Sequence, residues 1–208
     1  MRVIVIALLG CLTGSVMASE EALERFNRIT ADPQLREQAY ASGAERVRFC
    51  SYCHGETGNS KRAYIPNLAQ QSPIYLFNAF EKFANGQRSD FVMSKLAKTL
   101  TLEERVDIAV YFSQQQVKAP KEPVDPALLQ QGQAMFSRIC VACHGAQGEG
   151  QESMPRLAGQ PAEYVRKALT RFRDKDPSRA GSVMLTIAEK FTDQEINALA
   201  SFLQQLEP

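Results

Sequence analysis

Cys50-Ser51-Tyr52-Cys53-His54-Gly55 returns 90 residues later as Cys140-Val141-Ala142-Cys143-His144-Gly145. A chain that repeats so rigid a hexapeptide must fold as two similar units, each arranged around whatever two thiols and an adjacent imidazole can hold. Other landmarks return with it. Pro66-Asn67-Leu68-Ala69 matches Pro155-Arg156-Leu157-Ala158 at an offset of 89, as do Gln71 with Gln160, Tyr75 with Tyr164 and Phe83 with Phe172. Val92-Met93 matches Val183-Met184 at 91, and Thr101 with Glu104 matches Thr192 with Glu195. The slips in offset fall between landmarks, where loops tolerate insertions. Between the copies, Lys118–Pro126 carries three prolines, which exclude helix and central strand and favour a stiff, extended connector. The expected organisation is a leader at 1–18, a first domain at 19–119, a linker at 120–126 and a second domain at 127–208.

Both copies read as mainly α-helical. Apolar residues recur at helical spacing, and neither copy has an alternating run bounded by hairpin turns. Thr101-Leu102-Glu103-Glu104 and Thr192-Asp193-Gln194-Glu195 are capping boxes that each start a C-terminal helix. The apolar stripes that follow are Ile108, Ala109 and Phe112 in the first copy, and Ile196, Leu199, Ala200, Leu203 and Leu206 in the second; these should face the cores. A further helix is predicted to run into each cysteine motif, from about Leu35 and from Pro126. Ser19–Pro33, rich in charge, has no counterpart in the second copy and reads as an added helix or a loose tail.

Arg2, the apolar run Val3–Leu12 and Val16-Met17-Ala18 read as a secretory signal cut after Ala18. The run falls short of the roughly 20 residues that a spanning helix needs. Leu8-Leu9-Gly10-Cys11 offers a lipoprotein alternative, with Cys11 carrying the lipid. Loss of the leader leaves 23 basic and 23 acidic residues, balanced in sign within each copy, so charge gives no reason to expect a nucleic acid as partner. Export implies the periplasm. The four remaining cysteines then all lie in the two motifs.

Cys-x-x-Cys-His is the attachment sequence of c-type haem, in which both thiols add to porphyrin vinyl groups and the imidazole binds iron. A shared zinc site would explain the four thiolates but not a histidine after each pair, and 86 residues separate the pairs. A thioredoxin-like motif needs a βαβ context, and disulfides closing such small loops would restrain the chain little. His54 and His144 are the only histidines, so a bis-histidine iron is impossible. Of the methionines left after the leader, only Met93 and Met184 occupy matching places, 39 and 40 residues beyond the histidine. They are the candidate sixth ligands, against a reading as core packing; Met135 and Met154 read as core or loop fillers. Pro66 and Pro155 lack an N–H but offer a carbonyl to the imidazole Nδ1–H, a role compatible with a rigid turn. Tyr75, Phe83, Tyr164 and Phe172 are expected against haem edges or helix crossings. The basic cluster from Arg166 to Arg179 reads as a solvated helix face.

Two Cys-x-x-Cys-His units, each followed by Pro-x-Leu-Ala, a later methionine and a capped final helix, resemble the di-haem cytochrome c4 family over residues 40–207. The resemblance implies an all-α fold of two tandem cytochrome c-like domains, each enclosing one of two covalently attached c-type haems. It implies Cys50, Cys53 and His54 with Met93 at the first haem, and Cys140, Cys143 and His144 with Met184 at the second. It also implies a periplasmic one-electron carrier, not an enzyme. The expected partners are redox proteins, a donor and an acceptor such as a terminal oxidase or a membrane-bound dehydrogenase. Peripheral contact with a membrane is compatible with this, and both monomer and dimer stay open. The competing functions are a haem-bearing subunit of a dehydrogenase or oxidase complex, and a di-haem redox enzyme, which would need an open iron and a distal acid-base residue. The sequence departs from the family pattern in its extended N-terminus, in Gln70 where the second copy has Gly159, and in the slip before the methionines.

Overall fold

The described residues form two stretches of helix, each with its own apolar core. The computed structural model describes residues 13–118 and 123–207, with side chains from residue 20 onward. Most of the leader and residues 119–122 of the connector lie outside this description. The first stretch holds α1 (Thr13–Ala31), α2 (Pro33–Arg46), a 3-10 turn at Val47–Phe49, α3 (Ser51–His54), α4 (Pro73–Asn85), α5 (Met93–Thr99) and α6 (Leu102–Ser113). The second holds α7 (Pro126–Ile139), α8 (Val141–His144), α9 (Ala162–Arg173), α10 (Met184–Ile187) and α11 (Asp193–Gln205). Among the described residues there is no strand, only an isolated bridge between Gln151 and Met154.

Local chemistry sets the helix starts in the same way in both halves. Asp32 and Asp125 precede Pro33 and Pro126; each carboxylate accepts from the first turn, Asp32 from Gln34 N at 2.8 Å and Asp125 from Ala127 N at 2.9 Å. Proline is tolerated there because the N–H it lacks would have no helical acceptor. Thr101 and Thr192 close reciprocal capping boxes with Glu104 and Glu195, which start α6 and α11.

In each half the helix that leads into the cysteine motif crosses the final helix: α2 crosses α6, and α7 crosses α11. A glycine sits at each crossing. A Cβ on Gly43 would collide with the Asp107 carbonyl and the Tyr111 Cβ, and one on Gly132 with the Ala198 carbonyl and the Phe202 Cβ. The cores form around these crossings. Leu76, Phe77, Phe80 and Phe83 of α4 pack with Val106, Ile108 and Phe112 of α6. Met135 and Phe136 of α7 pack with Val165 and Leu169 of α9 and Ile196, Leu199 and Leu203 of α11. Met135 is therefore core, whereas Met154 is half-buried in the bridge that turns the chain toward Pro155.

The N-terminal segment is a helix and not a loose tail. From α1, Ala22, Phe26 and Ile29 are buried; Phe26 meets Phe77 edge-on at 6.1 Å, and Arg25 pairs with Asp107 of α6 at 2.8 Å.

Candidate functional site

Both cysteine motifs are short helical turns, Ser51–His54 following the 3-10 turn after α2 and Val141–His144 following α7. In each, the backbone N–H of the histidine bonds the carbonyl of the first cysteine at 2.9 Å, and the chain leaves through a glycine of positive φ, Gly55 at 76° and Gly145 at 82°. Cys50, Cys53, Cys140 and Cys143 are all free thiols. Burial raises the Cys50 thiol and pushes Cys140 up to about 11. That is opposite to the lowered pKa of a reactive redox pair.

His54 and His144 are buried, and the Nδ1 of each lies beside a proline carbonyl: His54 3.0 Å from Pro66 O, His144 2.9 Å from Pro155 O. A carbonyl only accepts, so Nδ1 carries the proton and Nε2 presents its lone pair. Burial lowers both imidazole pKa values, against the opposing pull of the proline carbonyls, and keeps the rings neutral. The segments that carry the prolines are pinned from behind. Leu68 N and Ala69 N both donate to Gly58 O at 2.7 and 3.1 Å, and Leu157 N and Ala158 N to Gly148 O at the same distances.

Met93 and Met184 each open a short helix and lie half-buried against their own core. Asp90 fixes the first by accepting from Val92 N and Met93 N, both at 3.0 Å. Ser182 Oγ does the same for Met184 N at 3.3 Å.

The two halves meet along these same segments, in a pattern that sequence reading did not foresee. The side-chain amide of Gln160 accepts from Asn67 N at 2.9 Å and donates to Asn67 O at 2.8 Å. Its counterpart Gln71 accepts from Arg156 N at 2.6 Å and donates to Arg156 O at 3.1 Å. Asn67 Nδ2 donates to Gly159 O at 2.9 Å, and the Arg156 guanidinium donates to Ala69 O at 2.7 Å. The two glutamine contacts are thus mirror images, as two-fold pairing of like units demands, while Asn67 and Arg156, at matching places, reach carbonyls one position out of register. Gln71 and Gln160 were visible as repeated landmarks, but nothing in their local sequence signalled that each would reach across to the other copy.

Beside this seam, Arg88 and Arg179 flank Tyr164; Arg88 lies over the Phe83 ring at 4.5 Å, and Arg179 over Phe172 at 5.2 Å. Arg179 is 8% exposed, so the cluster from Arg166 is not wholly a solvated face: its last member turns inward. Burial opposes ionisation of Tyr164, but the two guanidiniums outweigh it and draw its pKa below the ordinary phenol value. Burial and the nearby Arg88 lower the pKa of Arg179, and burial takes Arg156 to about 10. Among the described residues none of Arg88, Arg156 and Arg179 forms an ion pair with a carboxylate. Sheltered cations in no direct ion pair fit a prosthetic group that brings its own carboxylates, as haem does with its propionates. The free thiol pairs and neutral imidazoles fit its covalent attachment and its iron.

Comparison with known proteins agrees with this chemistry. The family description of cytochrome c matches residues 129–207. Cytochrome c4 of Pseudomonas aeruginosa is 34% identical over 178 residues, spanning 80% of this chain and 88% of that protein. The thiosulfate dehydrogenase electron acceptor of Thiomonas intermedia is 32% identical, spanning 82% of this chain and 85% of its own length. The crystal structure of reduced recombinant cytochrome c4 from Pseudomonas stutzeri superposes with a TM-score of 0.75 at 31% identity, covering 81% of this chain and 98% of that one.

Proposed function

Because this chain belongs to the cytochrome c4 family, we propose that it is a one-electron carrier with a haem in each half, shuttling between a redox donor and an acceptor protein. Each covalently bound haem supplies an iron that gains or loses a single electron. Cys50 and Cys53 anchor the first haem and Cys140 and Cys143 the second. His54 and Met93 ligate one iron, and His144 and Met184 the other. The observation that carries this reading is the neutral, buried imidazole after each thiol pair, its Nδ1–H committed to Pro66 or Pro155 and its Nε2 left for metal. Those carbonyls fix the tautomer and strengthen the imidazole as a donor, while the thioether of Met93 or Met184, as the other ligand, would favour the reduced state and raise the potential. With His54 and Met93 given to one iron and His144 and Met184 to the other, the chain would leave no place for a substrate on the metal, which favours a carrier over an enzyme.

The domains are taken as 19–119 and 127–208, joined by 120–126. Among the described residues no helix is long and apolar enough to cross a membrane. The Arg2-led apolar run supports export to the periplasm, with cleavage after Ala18 preferred to lipidation of Cys11. The likeness to a thiosulfate dehydrogenase electron acceptor supports a donor that is itself an oxidoreductase.

Replacing Met93 or Met184 with alanine tests the ligand assignment. Each variant should lose the share of the ferric thioether-to-iron absorption band that belongs to one haem, and the potential of that haem should fall. A variant with an unaltered spectrum overturns the assignment in its half.

A further inference from the structure

The Pro66 carbonyl that accepts from His54 and the Asn67 N–H that donates to Gln160 belong to one peptide group. The same holds in the other half, where the Pro155–Arg156 peptide joins His144 to Gln71. A peptide unit is a planar, conjugated dipole. A hydrogen bond accepted from its N–H pushes electron density onto its oxygen and makes that oxygen a better acceptor. The orientation of each glutamine amide is fixed, because a backbone N–H only donates and a carbonyl only accepts. Gln71 and Gln160 are each 3% exposed, so water does not dilute the effect.

We propose that Gln160 and Gln71 are positioning residues that act across the interface. Gln160 in the second half sets the donor strength of His54 in the first, and Gln71 in the first sets that of His144 in the second. This rests on the reading of His54 and His144 as iron ligands. Each glutamine polarises the peptide that holds the opposite imidazole, gives that imidazole more anionic character and so stabilises ferric iron in the half to which it does not belong. The potential of each haem is thereby tied to the docking of the two halves.

The test uses the full haem-loaded protein with Gln71→Ala and Gln160→Ala, the two potentials being assigned by following each haem's own NMR signals through a redox titration. Gln160→Ala should shift the ferrous-to-ferric balance of the first-half haem toward ferrous by about threefold, roughly 28 mV upward at 59 mV per decade, and leave the second-half haem unchanged. Gln71→Ala should do the converse. In the reduced protein the Nδ1-proton resonance of the opposite histidine should move upfield as its hydrogen bond weakens. Gln160→Glu, at a pH where the carboxylate is ionised, keeps an acceptor on Asn67 N–H and should return the potential to the parent value or below it. Equal shifts at both haems would mean that the interface had merely loosened, and would overturn the proposal. Unmoved potentials with His–Met absorption intact would also overturn it and leave the ligand assignment standing. Absence of His–Met absorption in the parent protein would instead sink the ligand assignment, and this inference with it.

Discussion

Gln70 holds a left-handed backbone, φ 52°, at the place where the second half has Gly159 at φ 67°. Both residues do the same work, their N–H donating at 2.8 Å to a carbonyl of the final helix, Phe112 O or Leu203 O. A side chain in that conformation costs about 1–2 kcal/mol, partly offset by the smaller entropy loss on folding of a non-glycine residue. The Gln70 side chain is exposed. Gln70→Gly should therefore stabilise the first half by up to about 1 kcal/mol, read as a raised denaturation midpoint with unchanged potentials. Residue-level chemistry was the most legible part of this chain. Thiol pairs and imidazoles announce themselves because they are neighbours in sequence, and the methionines, 39 and 40 residues further on, because they recur at matching places in both copies. Asp90 and Ser182, which fix the backbone at the methionines, carried no comparable signal.

At the scale of the helices, α2 with α6 and α7 with α11 approach so closely that Gly43 and Gly132 have no room for a methyl group. Alanine is the better helix former by about 1 kcal/mol, yet overpacking at such a crossing costs about 1–3 kcal/mol, so packing should win. Gly132→Ala is expected to lower stability in denaturant unfolding, and a gain would show that the helices can slide apart freely. The box at the start of α11 gives a pH-dependent expectation. The Thr192 N–H, joined by the Thr192 hydroxyl, holds the Glu195 carboxyl below the usual carboxylate range. A depressed acid contributes stability that is complete above its unfolded pKa and is lost as pH falls through the folded one. Thr192→Ala should cost about 1 kcal/mol near neutrality, and the gap from the parent should narrow in acid, as followed by thermal melts across pH. The boxes were plain in sequence because threonine and glutamate lie three residues apart. The glycine crossings were not, since a glycine inside a helical run looks the same whether it faces solvent or a neighbouring backbone. Nor did charge content reveal that Arg179 points inward.

Across the whole molecule, the two cores share no apolar residue, and the described seam between them is largely built of hydrogen bonds joining residues 85 to 93 positions apart. Such a molecule should unfold in more than one step: calorimetry should give a measured enthalpy above the van't Hoff value, and the Gln71→Ala/Gln160→Ala double variant should spread the steps further. A single two-state transition would contradict this. These distant pairs were beyond sequence reading because they depend on how the finished halves dock. A surface on which residue and counterpart exchange the same contacts is one that a lone ancestral unit could have used to bind its own twin. Joining the twins through the connector removes any dependence on dilution, and it also frees each side to vary alone, as Asn67 and Arg156 illustrate: an amide on one flank, a cation at the matching place on the other.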